Sequence, residues 1–216
     1  TVLYTGDGNA SQAITGVGFQ PDWNWIKARS AGNAHVLQDV VRGISGSKYR
    51  FLQTQGNDAE GTSSDNDGVS SLDSDGFTVG YSNSGGWNEN AITYAAWNWK
   101  AGGTASSNTD GSITSSVSAN QTAGFSIVTA TAPTGFGNYT VGHGLSSAPE
   151  MVWSKGRDSA SYWAVFASPV TDTNRKYLQL QLTNALATSG GDMWGAALPT
   201  SSVVGLSAAN SSPANE

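Results

Sequence analysis

The stretch Pro21-Asp22-Trp23-Asn24-Trp25-Ile26-Lys27-Ala28-Arg29 returns 128 residues later as Pro149-Glu150-Met151-Val152-Trp153-Ser154-Lys155-Gly156-Arg157. Upstream, Gly16-Val17-Gly18-Phe19 answers to Gly142-His143-Gly144-Leu145. Downstream, His35-Val36-Leu37 answers to Trp163-Ala164-Val165, and Lys48-Tyr49 to Lys176-Tyr177. Matches in one order, most at one spacing, predict two copies of a single unit. Unit one spans 1–101 and closes with Ile92-Thr93-Tyr94-Ala95-Ala96-Trp97-Asn98-Trp99. A Gly/Ser/Thr-rich connection, 102–122, carries a strand of its own over Ser112 to Ser118. Unit two spans 123–216. Laid on unit one, Asn215-Glu216 falls near Glu89, so the counterpart of Ile92 to Trp99 is expected to be missing. The chain then reads as a piece of something longer, or as one whose last strand a neighbour supplies, because an open sheet edge needs cover.

Each unit reads as all-β. No window sustains helical spacing of apolar residues over three turns. Short runs of Val, Ile, Tyr and Trp alternate instead with turn chemistry such as Gly6-Asp7-Gly8-Asn9, Asp75-Gly76 and Asp110-Gly111. Strands are expected at Val2 to Thr5, Gln12 to Thr15, Asp22 to Arg29, His35 to Val41, Tyr49 to Gln55, Phe77 to Tyr81 and Ile92 to Lys100. That density predicts a β-sandwich or jelly-roll-like fold built from two repeated units. Each unit closing its own sandwich and both sharing one remain open alternatives.

Composition narrows function. The chain has 216 residues, no Cys, and ten basic against sixteen acidic residues. That balance argues against a nucleic-acid partner, and no apolar run is long enough for membrane insertion. No phosphate loop occurs, the two histidines serve no nucleophile elbow, and no strand carries a one-face pair of carboxylates. A catalyst is therefore not expected, and neither is a cofactor.

The most chemically suggestive pattern is Trp25, Lys27 and Arg29, repeated as Trp153, Lys155 and Arg157. Alternate strand residues share a face, so each triplet can present an indole, an ammonium and a guanidinium to a sugar or an acidic glycan. The competing reading is packing, with Trp25 in the core and the cations paired to carboxylates; retention in both halves favours it. Trp97 and Trp99 share a face and read as a buried pair. Trp87 and Trp194 sit in Gly-rich polar loops, where an exposed indole would contact a partner. Asp65 and Asp67, in Asp65-Asn66-Asp67-Gly68, hint at Ca²⁺, although solvated turns explain them better.

Several segments carry a resemblance. They are Gly16-x-Gly18-Phe19-x-Pro21-Asp22-x-x-Trp25-Ile26-Lys27-x-Arg29, Lys48-Tyr49-x-x-Leu52, Ser74-Asp75-Gly76-Phe77-Thr78-Val79-Gly80 and Tyr94-Ala95-Ala96-Trp97-Asn98-Trp99-Lys100-Ala101-Gly102-Gly103. The connection from Asn108 to Asn120 and the restart Ala123-Gly124-Phe125-Ser126-Ile127-Val128-Thr129 fit as well. With these the chain resembles an uncharacterised repeated domain of tailed-bacteriophage virion proteins, common in marine phages and tail-fibre-like. The resemblance implies a virion structural protein exposed to the extracellular medium, self-associating and joined to other virion subunits. Host-surface attachment through a glycan is the expected role. A capsid or tail decoration protein without a ligand is the alternative, and a polysaccharide-degrading enzyme a more distant one.

Overall fold

Short runs of β-branched and aromatic residues bury one face each only when strands pair and sheets stack. In the computed structural model residues 1–62, 67–81, 86–135, 137–189 and 191–207 are described, and every regular element among them is a strand. The fold is all-β. It divides into two compact units, residues 1–54 with 60–103 and residues 55–59 with 104–216.

Unit 1 contains β1 (Val2–Thr5), β2 (Gln12–Thr15), β3 (Trp23–Ala28), β4 (Val36–Asp39), β5 (Ile44–Ser45), β6 (Lys48–Gln53), β7 (Gly61–Thr62), β8 (Gly68–Asp73), β9 (Gly76–Gly80) and β10 (Thr93–Trp99). One antiparallel sheet runs β1-β10-β3-β4-β6-β5, with β7 also on β6; the other runs β2-β9-β8. Ile26, Ala28, Val36, Tyr94 and Ala96 from the first sheet meet Ile14, Val69, Leu72, Phe77 and Val79 from the second in one buried cluster. These two faces make the sandwich core. Tyr4 stacks on Tyr94 at 4.9 Å within it.

Unit 2 contains β11 (Ser106–Asn108), β12 (Ser115–Asn120), β13 (Phe125–Ala130), β14 (Asn138–Gly142), β15 (Met151–Ser154), β16 (Ala164–Ala167), β17 (Lys176–Gln179), β18 (Ala187–Thr188) and β19 (Val203–Ser207). Its sheets are β11-β12-β13, β14-β19 and β15-β16-β17-β18. The connection thus supplies two strands to unit 2. Trp25 faces Leu37 across β3 and β4, and Trp153 faces Val165 across β15 and β16, at the spacing that separates the sequence echoes. Ile14 faces Phe77 and Val141 faces Val204 in the β2-β9 and β14-β19 pairs. The next ladder departs: Leu37 opposes Leu52, whereas Val165 opposes Leu178 rather than Leu180. In unit 1 β10 lies between β1 and β3, whereas β13 pairs with β12.

The Gly16-x-Gly18 spacing has a structural cause. Both glycines hold left-handed φ values, +88° and +86°, a region closed to most side chains. Their N–H groups donate to the Asp75 carboxylate at 3.1 and 2.6 Å, and Val17 N donates to the Asp75 carbonyl at 3.2 Å. These donors hold the Asp75 carboxyl below its ordinary 3.8, since they favour the charged form. A depressed carboxylate contributes stability above its unfolded value and loses it as pH falls through the folded one. Asp75→Asn is therefore expected to flatten the loss of stability below about pH 4, followed by denaturant titration at stepped pH. An unchanged acid limb would show that the clamp carries none of it.

Candidate functional site

The two loop tryptophans lie inside the protein. Trp87 is 6% exposed and belongs to the unit 1 core. Its carbonyl accepts from Tyr4 Oη, and its ring meets Phe51 edge-on at 5.1 Å. With the Gln38 amide nitrogen turned toward Asn24, the Gln38 oxygen accepts from Trp87 Nε1 at 2.7 Å. Trp194 is fully buried; its Nε1 donates to the Lys176 carbonyl at 2.8 Å and its ring packs on Phe166. An added Cβ on Gly205 would strike the Trp194 carbonyl, so the adjoining strand needs glycine there. Each indole thus fills a core instead of facing solvent, which corrects the expectation of exposed contact residues.

Neither cationic triplet lies whole on its strand. β3 ends at Ala28 and β15 at Ser154, so Arg29, Lys155 and Arg157 lie beyond the strands that were to align them. Trp25 is half-buried, donates from Nε1 to Thr54 Oγ1 at 2.9 Å and leans on Trp97 at 5.2 Å. Lys27 Nζ reaches the Ala31 carbonyl at 3.4 Å. Arg29 is exposed, and its backbone N donates to the Thr93 carbonyl. Lys155 Nζ donates to the Gly156 carbonyl at 2.7 Å and to Ser161 Oγ at 2.9 Å. Both lysines fasten the loop that follows their strand. Trp153 and Arg157 are partly buried. Trp99 remains 38% exposed rather than sealed with the half-buried Trp97.

Asp65 lies outside the described residues. Asp67 is buried near Lys48; burial depresses the Lys48 ammonium and the nearby Asp67 charge opposes that shift. Among the described residues, no three His, Asp or Glu side chains converge as metal ligands would. The buried His143 accepts from Leu145 N at Nδ1 and meets the Thr200 carbonyl at Nε2, an arrangement that serves the loop. His35 is held below its ordinary 6.5 by burial and by the Lys27 charge.

What unit 2 does present is a cleft of about 440 Å³. Its walls come from Gln55 and Asn57, from the loop at Ser161 and Tyr162, and from Gln179 and Gln181 at and after the end of β17. Ser161 N donates to the Asn57 carbonyl at 2.8 Å, tying one wall to another. Lys155 holds the same loop through Ser161 Oγ. Gln181 Oε1 accepts from Trp163 N, and Gln179 Oε1 accepts from Asn184 Nδ2, each at 3.1 Å. Both amides are thereby oriented. The Tyr162 ring stacks on Tyr177 at 5.6 Å and 18°. Sequence reasoning missed these polar residues, although two Gln spaced two apart after Lys176-Tyr177 gave a signal, echoed by Gln53 and Gln55 after Lys48-Tyr49.

Fold and cleft together define an all-β module whose cleft is lined by uncharged side chains. The chain belongs to the family described as a domain of unknown function, DUF7483, whose model matches residues 1–216. No curated protein and no solved structure matches it.

Proposed function

We propose that the chain is a non-catalytic module displayed on a tailed-phage virion, where it serves attachment to a host surface. The motif resemblance supports the virion setting. The observation that carries the attachment reading is how the charged groups are used. Lys27, Arg42, Lys155 and Arg175 are fastened to the protein's own carbonyls, carboxylates and hydroxyls, and the unit 2 cleft beside Lys155 is lined by uncharged side chains alone. Three exposed carboxylates are in keeping with this. Asp7, Asp75 and Asp172 are all lowered by hydrogen bonds, whereas a general acid working near neutrality needs a raised one. The same proposal treats the two units as copies of one ancestor, which the shared Trp25–Leu37 and Trp153–Val165 registers support.

A second reading, a decoration or assembly subunit without a ligand, draws on two residues. Leu3 and Met151 are 60% and 58% exposed on β1 and β15, each the terminal strand of its sheet among the described residues. Apolar side chains on open edges suit contact with other subunits or a second copy. Labelled protein is expected to adsorb to intact host cells and to compete with phage adsorption. Absence of adsorption, with placement of the chain in a capsid or tail lattice by particle imaging, would overturn attachment in favour of assembly. New reducing ends after incubation with host polysaccharide would instead restore the enzymatic reading.

A further inference from the structure

We propose that the unit 2 cleft binds a neutral glycan, an uncharged polyhydroxylated chain. The inference rests on the attachment reading for its biological setting. The chemistry of the cleft stands by itself.

The cleft volume falls within the range of small-molecule sites. No lining residue carries a charge, so an anionic or cationic ligand would lose its hydration without gaining a countercharge. The lining offers instead the carboxamides of Gln55, Asn57, Gln179 and Gln181. A carboxamide presents a donor and an acceptor at one tip, and a sugar hydroxyl is itself both. Two of the four are already aimed. Because the oxygens of Gln179 and Gln181 are engaged by Asn184 and Trp163, the capacity each retains is its Nε2 donor pair. Neither nitrogen has a protein acceptor among the described residues. Orientation before binding lowers the ordering cost that a loose amide would incur.

Tyr162 adds a flat apolar surface suited to the C–H face of a pyranose, and its stacking on Tyr177 keeps the ring stiff. The Ser161 wall is set in advance by Lys155 and Asn57. A peptide fits less well, because Leu182 is the one large aliphatic residue in the lining and offers no series of apolar sockets for alternating side chains.

The test uses the full chain and nuclear magnetic resonance. Neutral glucan, galactan and mannan oligosaccharides are titrated in separate experiments, alongside anionic alginate oligosaccharides. At least one neutral series is expected to shift the side-chain amide resonances of Gln179 and Gln181 and the Tyr162 ring signals, with alginate silent. Gln179→Glu and Gln181→Glu each retain the acceptor oxygen that anchors the side chain and remove the donor. Each is expected to weaken binding by about tenfold while leaving backbone resonances elsewhere in place. A response to alginate alone, shifts mapping outside the cleft, no response to any neutral series, or undiminished binding by both Glu variants would overturn the proposal. Cell adsorption separates the two readings. If wild type and both Glu variants adsorb alike, the cleft assignment falls and attachment survives. If neutral oligosaccharides bind the cleft but the protein does not adsorb, attachment falls and the cleft survives.

Discussion

Trp194→Ala is expected to destabilise unit 2 by about 3–5 kcal/mol, the range for deleting a large aromatic from a packed core. The indole is fully buried, sits beside the equally buried Met193, and crosses Phe166 at 5.8 Å. Removing it also leaves the half-buried Lys176 carbonyl without its Nε1 donor, and the lost hydrogen bond adds to the cavity cost. The Asn174 carbonyl takes the backbone N–H of both Met193 and Trp194, so the loop is tied to the chain two residues before β17. The variant should therefore lose amide protection in β16 and β17 while unit 1 amides keep theirs. Trp194→Phe should fall between, retaining ring volume without the donor. Hydrogen exchange resolved by residue checks both. If Trp194→Ala keeps wild-type protection in unit 2, the indole does not hold the core. A binding defect in this variant would report unfolding rather than a lost contact, which is why the cleft glutamines are the informative probes of recognition.

Strands with regular alternation were legible in the sequence, as β1 and β2 show at their expected bounds, and β3, β4, β6, β9 and β10 within two residues of theirs. β8 was not. Val69 and Leu72 are an odd number of residues apart, so a regular strand would send them to opposite faces. A bulge between Val69 and Ser71 turns both into the core, and alternation cannot reveal a strand whose register slips midway. The two-residue strands β5, β7 and β18 are too short for any periodic signal. Pairing with a longer neighbour creates them.

The candidate site was less legible for a related reason. A polar loop reads as solvated because its composition is polar, yet the destination of a single Trp within it depends on whether a core opening lies nearby. Trp87 and Trp194 were both misplaced on that ground. Lys27 and Lys155 stand out in the sequence through the echo of their segments, but their reach back to a following loop is set by strand ends, which are the least certain boundaries in a sequence. The cleft amides lay hidden because Gln55 and Gln181 are far apart in the chain. Only the path of 55–59 within unit 2 brings them to one cavity.

Arg42→Met is expected to cost unit 1 about 3–5 kcal/mol, because it strands buried carboxylates. Arg42 is almost wholly enclosed, and its guanidinium serves three acceptors: Asp39 Oδ2 through Nε, Glu60 Oε1 at 3.3 Å through Nη1 and the Leu37 carbonyl at 2.9 Å through Nη2. Asp39 also caps the turn through Oδ1, accepting from Val41 N and Arg42 N at 3.0 and 2.8 Å. The planar fork is what lets one side chain reach all three, so Arg42→Lys should recover little of the loss. Arg50 provides the internal control. It meets the other Glu60 oxygen at 3.5 Å with its side chain 36% exposed, and Arg50→Met should cost about 0–1 kcal/mol, as partly solvated pairs do. High salt should narrow the Arg50 effect and leave the Arg42 effect nearly intact, because screening acts weakly on an enclosed pair. Denaturant unfolding at low and high ionic strength measures all three variants. Equal small losses for Arg42→Met and Arg50→Met would mean that hydrophobic burial alone holds the C-terminal end of β4 in the sheet, with the ion network idle.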